Sequence, residues 1–229
     1  MRISALHVYP IKGCRGTSLT SAEVDRLGLV GDRRLMLVDS DDRFISQREV
    51  PRLATLEPAL DGGSLAVRTV AGETFRLVID PHGETRAVSV WGNHGIQAAD
   101  QGGAAAEWFS NAIGEACRLV YFGPRARNRI DPEYSPRGDA ETAFTDGYPI
   151  TAALQESLDN LNSRLAEPVP MARFRPSVVV SGAPAWSEDH WKTIDLGALR
   201  CDVVKACARC LVTATDQLSG ARHPGQEPL

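Results

Sequence analysis

The stretch "SLAVRTVAGETFRLVI", residues 64–79, decides the fold class of this 229-residue chain. Two runs rich in β-branched and other apolar residues flank the turn residues Ala71 and Gly72, and this pattern predicts a β-hairpin. Similar short runs, separated by turn signals such as "VGD", "DSDD" and "DPHG", fill the first hundred residues. There we predict strands over residues 2–9, 34–39, 64–70, 75–79 and 86–91.

Helices are fewer than strands. The segment "AAAEWFSNAIGEA", residues 104–116, contains good helix formers and a stop at Gly114. The segment "ALQESLDNLNSRLAEP", residues 153–168, places four leucines on one face and predicts a helix that ends before Pro168. Buried strands are predicted over residues 117–122 and 177–182. Strands and helices do not alternate strictly, so we predict a β-rich α+β fold with barrel or sandwich sheets.

Charge and hydropathy exclude several classes of function. Lysine plus arginine total 25 and aspartate plus glutamate total 29, so the net charge of −4 gives no basic excess for binding nucleic acid or an anionic membrane. The opening "MRISALHVYPIKG" lacks the apolar stretch of a signal peptide, and no apolar run reaches the length of a membrane span. We expect a cytoplasmic protein that acts on small molecules.

The five cysteines are an odd number, which favours free thiols or metal ligands over a disulfide framework. Cys207 and Cys210 form a Cys-x-x-Cys pair followed by "LVTAT", a run typical of a strand. A redox dithiol of the thioredoxin type opens a helix instead, so the pattern argues against it. A zinc site formed by Cys201, Cys207, Cys210 and His223 remains an alternative. Cys117 and Cys201 are otherwise interpreted as small buried apolar residues.

Cations stand at the edges of three predicted strands. Lys12 lies in "YPIKGCRG", a loop whose glycines let backbone amides approach an anion. Arg33 and Arg34 precede an apolar strand, so one of them should point inward and the other outward. Arg175 precedes Pro176 and another buried strand. A buried arginine needs an anionic partner, and the recurrence of this arrangement predicts a shared anion such as a phosphate.

Eight segments read in order resemble successive blocks of the MOSC family with its N-terminal β-barrel domain, and within it the bacterial relatives of the mitochondrial amidoxime-reducing component. They extend over nearly the whole chain: "YPIKGCRG" (9–16), "GLVGDRRLMLVD" (28–39), "SQREVPRLATL" (46–56), "DQGGAAAEWFS" (100–110), "TDGYP" (145–149), "LDNLNSRL" (158–165), "RFRPSVVVSG" (173–182) and "ACARCLVTATD" (206–216).

The resemblance implies a molybdenum cofactor, a pterin whose dithiolene holds an oxo-molybdenum centre and whose tail ends in a phosphate. Cys210 matches the cysteine whose thiolate completes the molybdenum shell, whereas Cys207 has no implied role. A thiolate is a soft ligand that suits a metal already bound by sulfur. Cationic contacts to the cofactor are implied at Lys12, Arg33, Arg175 and Arg209. Gly13 and Ser177 stand at two further cofactor-binding positions, where relatives often have serine and asparagine.

The resemblance also implies two domains, an N-terminal β-barrel-like domain over residues 1–115 and a MOSC domain over residues 116–229. The first strands are expected to pack onto the MOSC barrel, which places the site between the two halves. Relatives continue into further strands beyond the position of Leu229, so we expect the barrel to lack its last strands.

The implied activity is the reduction of small N-hydroxylated compounds, such as amidoximes, hydroxylamines and N-hydroxylated bases. Tyr148 is expected to join the cofactor-binding residues and Asp146 the catalytic ones, on the substrate side. No flavin, haem or iron–sulfur motif is visible, so electrons should come from a separate flavodoxin-type or ferredoxin-type protein. For the wider family, the resemblance also implies pyridoxal phosphate binding. Two alternatives stay open: a non-catalytic carrier of molybdenum cofactor or sulfur, and a zinc-stabilised β domain.

Overall fold

The computed structural model describes residues 1–135, 138, 140–225 and 228 of the chain. Strands dominate the described residues, so the prediction of a β-rich α+β fold is confirmed. In chain order the strands are β1 (Arg2–Val8), β2 (Thr17–Leu19), β3 (Val24–Asp25), β4 (Gly28–Leu29), β5 (Leu35–Val38), β6 (Glu57–Asp61), β7 (Ser64–Arg68), β8 (Thr74–Val78), β9 (Thr85–Val90), β10 (Asn93–Asp100), β11 (Arg118–Tyr121), β12 (Ala152–Leu154), β13 (Val178–Ser181), β14 (Thr193–Leu196) and β15 (Leu199–Asp202). The helices are α1 (Gly103–Ile113) and α2 (Gln155–Asn162).

The predicted hairpin is present as β7 and β8, which pair antiparallel, and β6 completes a three-stranded sheet. Leu65 and Val67 of β7 are fully buried in a core cluster that also includes residues of α1. Phe75 of β8 stacks on Trp108 of α1, with ring centroids 5.3 Å apart. Helix α1 ends at Ile113, and Gly114 is the predicted stop, with a left-handed φ of 80° that suits glycine.

Two four-stranded sheets form most of the remaining framework, and the pairs β3-β4 and β14-β15 form two small two-stranded sheets. The first has the order β12-β13-β1-β2, in which β1 runs antiparallel to β13 and β12 runs parallel to it. The second has the order β5-β11-β10-β9. Because β1 and β13 are antiparallel neighbours, the loop that follows β1 and the loop that precedes β13 meet at the same end of the first sheet. Lys12 and Arg175 are on those two loops.

Helix α2 is shorter than predicted. It ends at Asn162 rather than continuing to residue 167, and Ser163 is its C-cap. The Asn162 side chain donates a hydrogen bond to the carbonyl oxygen of Val169 at 3.0 Å and accepts one from the Val169 amide at 2.9 Å. This pair of bonds holds the returning loop against the end of the helix. The leucine spacing identified the helix correctly, but an asparagine that binds a loop seven residues away ends it early.

The strand predicted for the residues after Cys210 is wrong. Leu211–Ala214 forms a 3₁₀ turn instead. The backbone amide and the hydroxyl of Thr213 both donate to the carbonyl oxygen of Cys210 at 3.0 Å. Threonine side chains compete in this way with strand pairing, and the β-branched run therefore closes on itself locally.

Among the described residues, no helix is both long and apolar enough to cross a membrane. The expectation that the barrel lacks its last strands concerns the chain end, where residues 226, 227 and 229 lie outside the described residues.

Candidate functional site

One cleft of about 660 Å³ gathers nearly all the residues that the sequence singled out. It is lined by segments from both halves of the chain. The predicted site residues that line it are Lys12, Gly13, Arg33, Asp146, Tyr148, Arg175, Arg209 and Cys210. Ser177 is fully buried behind this lining, where its hydroxyl oxygen accepts a hydrogen bond from Arg33 at 3.0 Å.

Backbone pairing places Lys12 and Arg33 side by side. The amide of Arg33 donates to the carbonyl oxygen of Tyr9 at 2.8 Å, and the amide of Lys12 donates to the carbonyl oxygen of Leu35 at 2.8 Å. The loop after β1 therefore runs along the start of β5. This pairing brings two cations that are 21 positions apart in the sequence to the same wall of the cleft.

Strained backbone is concentrated around this cleft. Five described non-glycine residues have positive φ, and four of them line the cleft: Arg33 (47°), Trp91 (50°), Arg175 (54°) and Trp186 (67°). For a non-glycine residue the left-handed backbone conformation costs roughly 1–3 kcal/mol. Contacts with the surrounding structure must therefore hold these residues in place. The clustering indicates that the fold maintains these side-chain directions for a function.

Arg33 is held by an extensive set of contacts. Its guanidinium donates to the carboxylate of Asp32, to the hydroxyl of Ser177 and to the carbonyl oxygen of Arg175. Asp32 is 1% exposed and also accepts from the Tyr9 amide at 2.8 Å. Burial acts to lower the pKa of Arg33, but the negative charge of Asp32 raises it above its ordinary value. Arg33 therefore has the anionic partner that a buried arginine needs, and that partner is Asp32.

The prediction that the neighbour of Arg33 points outward is wrong. Arg34 is 8% exposed and its guanidinium contacts the carboxylate of Asp25 at 2.7 Å. The regular alternation of side chains requires extended backbone, and the left-handed φ of Arg33 interrupts it just before β5. Both arginines can therefore turn away from bulk solvent, toward different carboxylates.

Arg175 reaches the same wall from the other half of the chain. The guanidinium carbons of Arg33 and Arg175 each lie 4.3 Å from the centroid of the Tyr9 ring, a favourable cation–π distance. Arg175 donates to the side-chain oxygen of Gln217 at 3.0 Å, and Gln217 forms a reciprocal amide pair with Gln47. These partners are neutral, and burial lowers the pKa of Arg175.

Lys12 pairs with Asp146, which also lines the cleft. Its ammonium group donates to the Asp146 carboxylate, which also accepts from the indole nitrogen of Trp91 at 2.7 Å. Burial lowers the pKa of Lys12, and Asp146 acts to raise it. The Asp146 side chain is 71% exposed. Partial desolvation beside the cleft wall acts to raise its pKa, but the charge and hydrogen bond of Lys12, with the hydrogen bond of Trp91, lower it to about 2. Asp146 is therefore a carboxylate at neutral pH.

We expect a Lys12→Met variant to raise the titration midpoint of Asp146 from about 2 toward the ordinary 3.8, because the charge and hydrogen bond that contribute most to lowering its pKa are removed. ¹³C NMR of the Asp146 carboxyl carbon measures the midpoint, and Lys12→Arg, which keeps the charge, should leave it near 2. Because the folded-state pKa is depressed, the pair stabilises the fold fully above 3.8, and this stabilisation is lost as the pH falls through about 2. A midpoint of about 2 in Lys12→Met would contradict the assigned cause.

Cys210 is a free cysteine on the same cleft, with extended backbone just before the 3₁₀ turn. It is partly buried, whereas Cys207 is exposed. The exposed Arg209 between them places its guanidinium carbon 5.2 Å from the centroid of the Phe174 ring. The two thiols of the Cys-x-x-Cys pair are therefore not equivalent.

Several residues that shape the site were missed by the sequence reasoning: Tyr9, Asp32, Gln47, Trp91 and Gln217. Asp32 could have been found, because it directly precedes a buried arginine that needs an anion. The glutamines carry no charge or nucleophile, and their pairing joins segments 170 positions apart. Trp91 occupies the first turn position between β9 and β10, where asparagine or glycine is usual.

The zinc alternative finds no support in the part of the chain that the structure describes. There, no three histidine, cysteine, aspartate or glutamate side chains come together to hold a metal ion. Cys201, one of the proposed ligands, is on β15 in a separate two-stranded sheet.

Comparisons with known proteins cover nearly the whole chain. The model of the MOSC N-terminal beta barrel domain matches residues 1–116, and the model of the MOSC domain matches residues 139–229. Mitochondrial amidoxime-reducing component 1 of Mus musculus is 32% identical over 236 residues, covering 99% of this chain and 69% of that protein. The Homo sapiens protein of the same name is 30% identical with the same coverage. Mitochondrial amidoxime reducing component 2 of Homo sapiens is 30% identical, covering 95% of this chain and 68% of that protein.

Proposed function

Because this chain belongs to the MOSC family and carries the N-terminal β-barrel domain ahead of the MOSC domain, we propose that it is a molybdenum-cofactor-dependent reductase of N-hydroxylated compounds. The observation that carries the proposal is the cleft itself, which combines a buried cationic wall with a free thiol. Relatives named amidoxime-reducing components supply the reaction class.

The cationic wall fits a bound anion. Lys12, Arg33 and Arg175 are three cations, and the carboxylates that face them are Asp32 and Asp146. One positive charge is thus left without an anionic partner among these groups, in a place where burial makes an uncompensated charge unfavourable. A phosphate at the end of the pterin tail would compensate it and accept forked hydrogen bonds from the guanidinium groups. Arg209 would contribute from the rim of the cleft.

The thiol fits a soft metal. Cys210 is free, partly buried and held by the hydrogen bonds of Thr213 to its carbonyl oxygen. Such fixation limits the positions that its sulfur can reach and suits a ligand more than a mobile nucleophile. Cys210 would therefore complete the shell of molybdenum and tune it. When bound, the cofactor would supply two-electron oxygen-atom-transfer chemistry at molybdenum.

Gly13 and Ser177 contribute in different ways. Gly13 has a φ of 86°, and an added Cβ would lie 3.3 Å from the Leu53 side chain, so glycine suits the backbone here. Its role is restricted to backbone contacts with the cofactor. Ser177 lies under the guanidinium of Arg33 and also donates to Asp32 at 3.2 Å. It would hold the Arg33 and Asp32 pair in position.

Asp146 and Tyr148 are assigned to the substrate side. With a pKa of about 2, Asp146 is a poor proton donor at neutral pH, so we assign it the role of holding Lys12 in place. In the overall reaction the N–O bond breaks and the oxygen leaves as water, which requires two electrons and two protons. The electrons would come from a separate flavodoxin-type or ferredoxin-type protein, and the protons from water in the open cleft.

The test is purification followed by elemental analysis and an assay with benzamidoxime and a chemical electron donor. We expect near-stoichiometric molybdenum and formation of benzamidine. Protein produced with tungstate in place of molybdate is the control and should show no turnover. Bound molybdenum without turnover of any N-hydroxylated compound would favour the cofactor carrier. Bound zinc would favour the zinc-stabilised domain. The absence of both metals would favour a sulfur carrier.

A further inference from the structure

Arg173 is a cleft-lining cation that the cofactor assignment leaves unused. It ends the short 3₁₀ turn Met171–Arg173, and its side chain is 14% exposed. A guanidinium offers five N–H donors. Its guanidinium forms a marginal 3.5 Å bond to the carbonyl oxygen of Thr213 and a 3.6 Å ion pair with Asp216. Within the described residues, its buried Nε has no hydrogen-bond partner.

Arg173 is also connected to the segment that carries Cys210. It contacts the carbonyl of Thr213, whose own amide and hydroxyl bind the carbonyl oxygen of Cys210. Hydrogen bonds through Thr213 therefore connect the Arg173 side chain to the backbone carbonyl of Cys210. Arg175, two residues further on, faces the Tyr9 wall instead, so the two arginines serve different parts of the cleft.

Asp216, at 3.6 Å, is the carboxylate that contacts Arg173, but the charge of the cleft lining as a whole favours an anion. Among the residues that line the cleft, basic side chains outnumber acidic ones, although the chain as a whole carries a net charge of −4. On the rim, Arg48 lies against the ring of Trp91 at 4.5 Å. Such a field attracts anions from solution and orients them.

We propose that Arg173 forms a subsite for an anionic group of the substrate, a carboxylate or a phosphate oxygen, next to Cys210. This inference rests on the proposed reductase function and specifies its substrate class as N-hydroxylated compounds with an acidic substituent. Lys12, Arg33 and Arg175 already account for the phosphate of the cofactor. Arg173 is a specificity-determining residue on the substrate side.

The test compares neutral benzamidoxime with its 4-carboxy derivative on the cofactor-loaded protein. We expect Arg173→Gln to raise KM for the carboxy compound about tenfold, the loss typical of one charge-assisted hydrogen bond, with kcat and both parameters for benzamidoxime within about twofold of wild type. The KM of Arg173→Lys for the carboxy compound should lie between that of wild type and that of Arg173→Gln. Arg200→Gln, an equal charge change on the exposed β14–β15 hairpin, is the matched control.

Calorimetric binding of the two compounds without an electron donor separates this subsite from the reductase function. If no turnover occurs, a tenfold weaker binding of only the carboxy compound to Arg173→Gln still supports the subsite. Loss of molybdenum and pterin from Arg173→Gln would assign the residue to the cofactor and overturn the proposal. Equal effects on the two compounds, or none, would also overturn it, and thermal melting checks that the variant is folded.

Discussion

Replacement of Cys210 by alanine is expected to abolish benzamidoxime reduction, by more than about 100-fold in kcat/KM, while Cys207→Ala retains most of the activity. The reason is the asymmetry of the two thiols. Cys210 is partly buried on the cleft and its carbonyl is held by Thr213, whereas Cys207 is exposed. Only a sulfur in a fixed position can serve as a metal ligand with defined geometry. The assay uses a chemical electron donor, so that docking of a protein partner does not enter.

Molybdenum and pterin contents distinguish the loss of a ligand from the loss of the fold. If the cationic wall binds the cofactor independently of the thiolate, Cys210→Ala should retain pterin while the electronic spectrum and the electron paramagnetic resonance signal of molybdenum change. Cys207→Ala should keep both signals of the wild type. Equal losses of activity in the two variants would contradict the assignment of distinct roles, and would favour a function of the Cys-x-x-Cys pair as a unit.

The sequence predicted the cationic part of the site better than it predicted the thiol part. Lys12, Arg33 and Arg175 each precede a buried segment near a turn, and such cations need a partner wherever they are placed. That requirement does not depend on topology, so local pattern was sufficient. The structure brings the three residues to one cleft through the pairing of β1 with β13 and of the loop after β1 with the start of β5.

The surroundings of Cys210 could not be predicted in the same way. The residues "LVTAT" have high strand propensity, but a strand also needs a neighbour to pair with, and propensity alone does not supply one. The hydroxyl of Thr213 instead closes a local turn. Likewise, Gln47 and Gln217 are ordinary polar residues in the sequence, and only the tertiary fold makes them a buried pair that receives Arg175.

Trp91 is a third feature of the site that the sequence did not predict. A two-residue turn between paired strands favours asparagine and glycine, because its first position requires a positive φ. Trp91 adopts a φ of 50° there and is 44% exposed, which propensity and burial both disfavour. The compensation comes from its hydrogen bond to Asp146 and its contact with Arg48. Departures from local rules of this kind mark functional sites.

The Arg33→Gln variant is expected to lose both stability and cofactor, for separable reasons. Asp32 is 1% exposed, and removal of the guanidinium leaves its carboxylate as an uncompensated buried charge. Breaking a buried ion pair on one side reduces the free energy of unfolding by about 3–5 kcal/mol. Urea unfolding measures this loss, and molybdenum content measures the second effect. Arg34→Gln is the matched control and should lose less, because its partner Asp25 is 43% exposed and stays hydrated.

The double variant Asp32→Asn, Arg33→Gln separates the two effects. Neutral amides at both positions remove the uncompensated charge and keep hydrogen-bonding groups near Ser177 and the Tyr9 amide. We therefore expect the double variant to recover most of the lost free energy of unfolding. Its molybdenum content should stay low, because a cation is still missing from the wall that we propose binds the phosphate. If both stability and molybdenum content recover, Arg33 serves only the fold. If neither recovers, the guanidinium itself, rather than the charge balance, holds the cleft together.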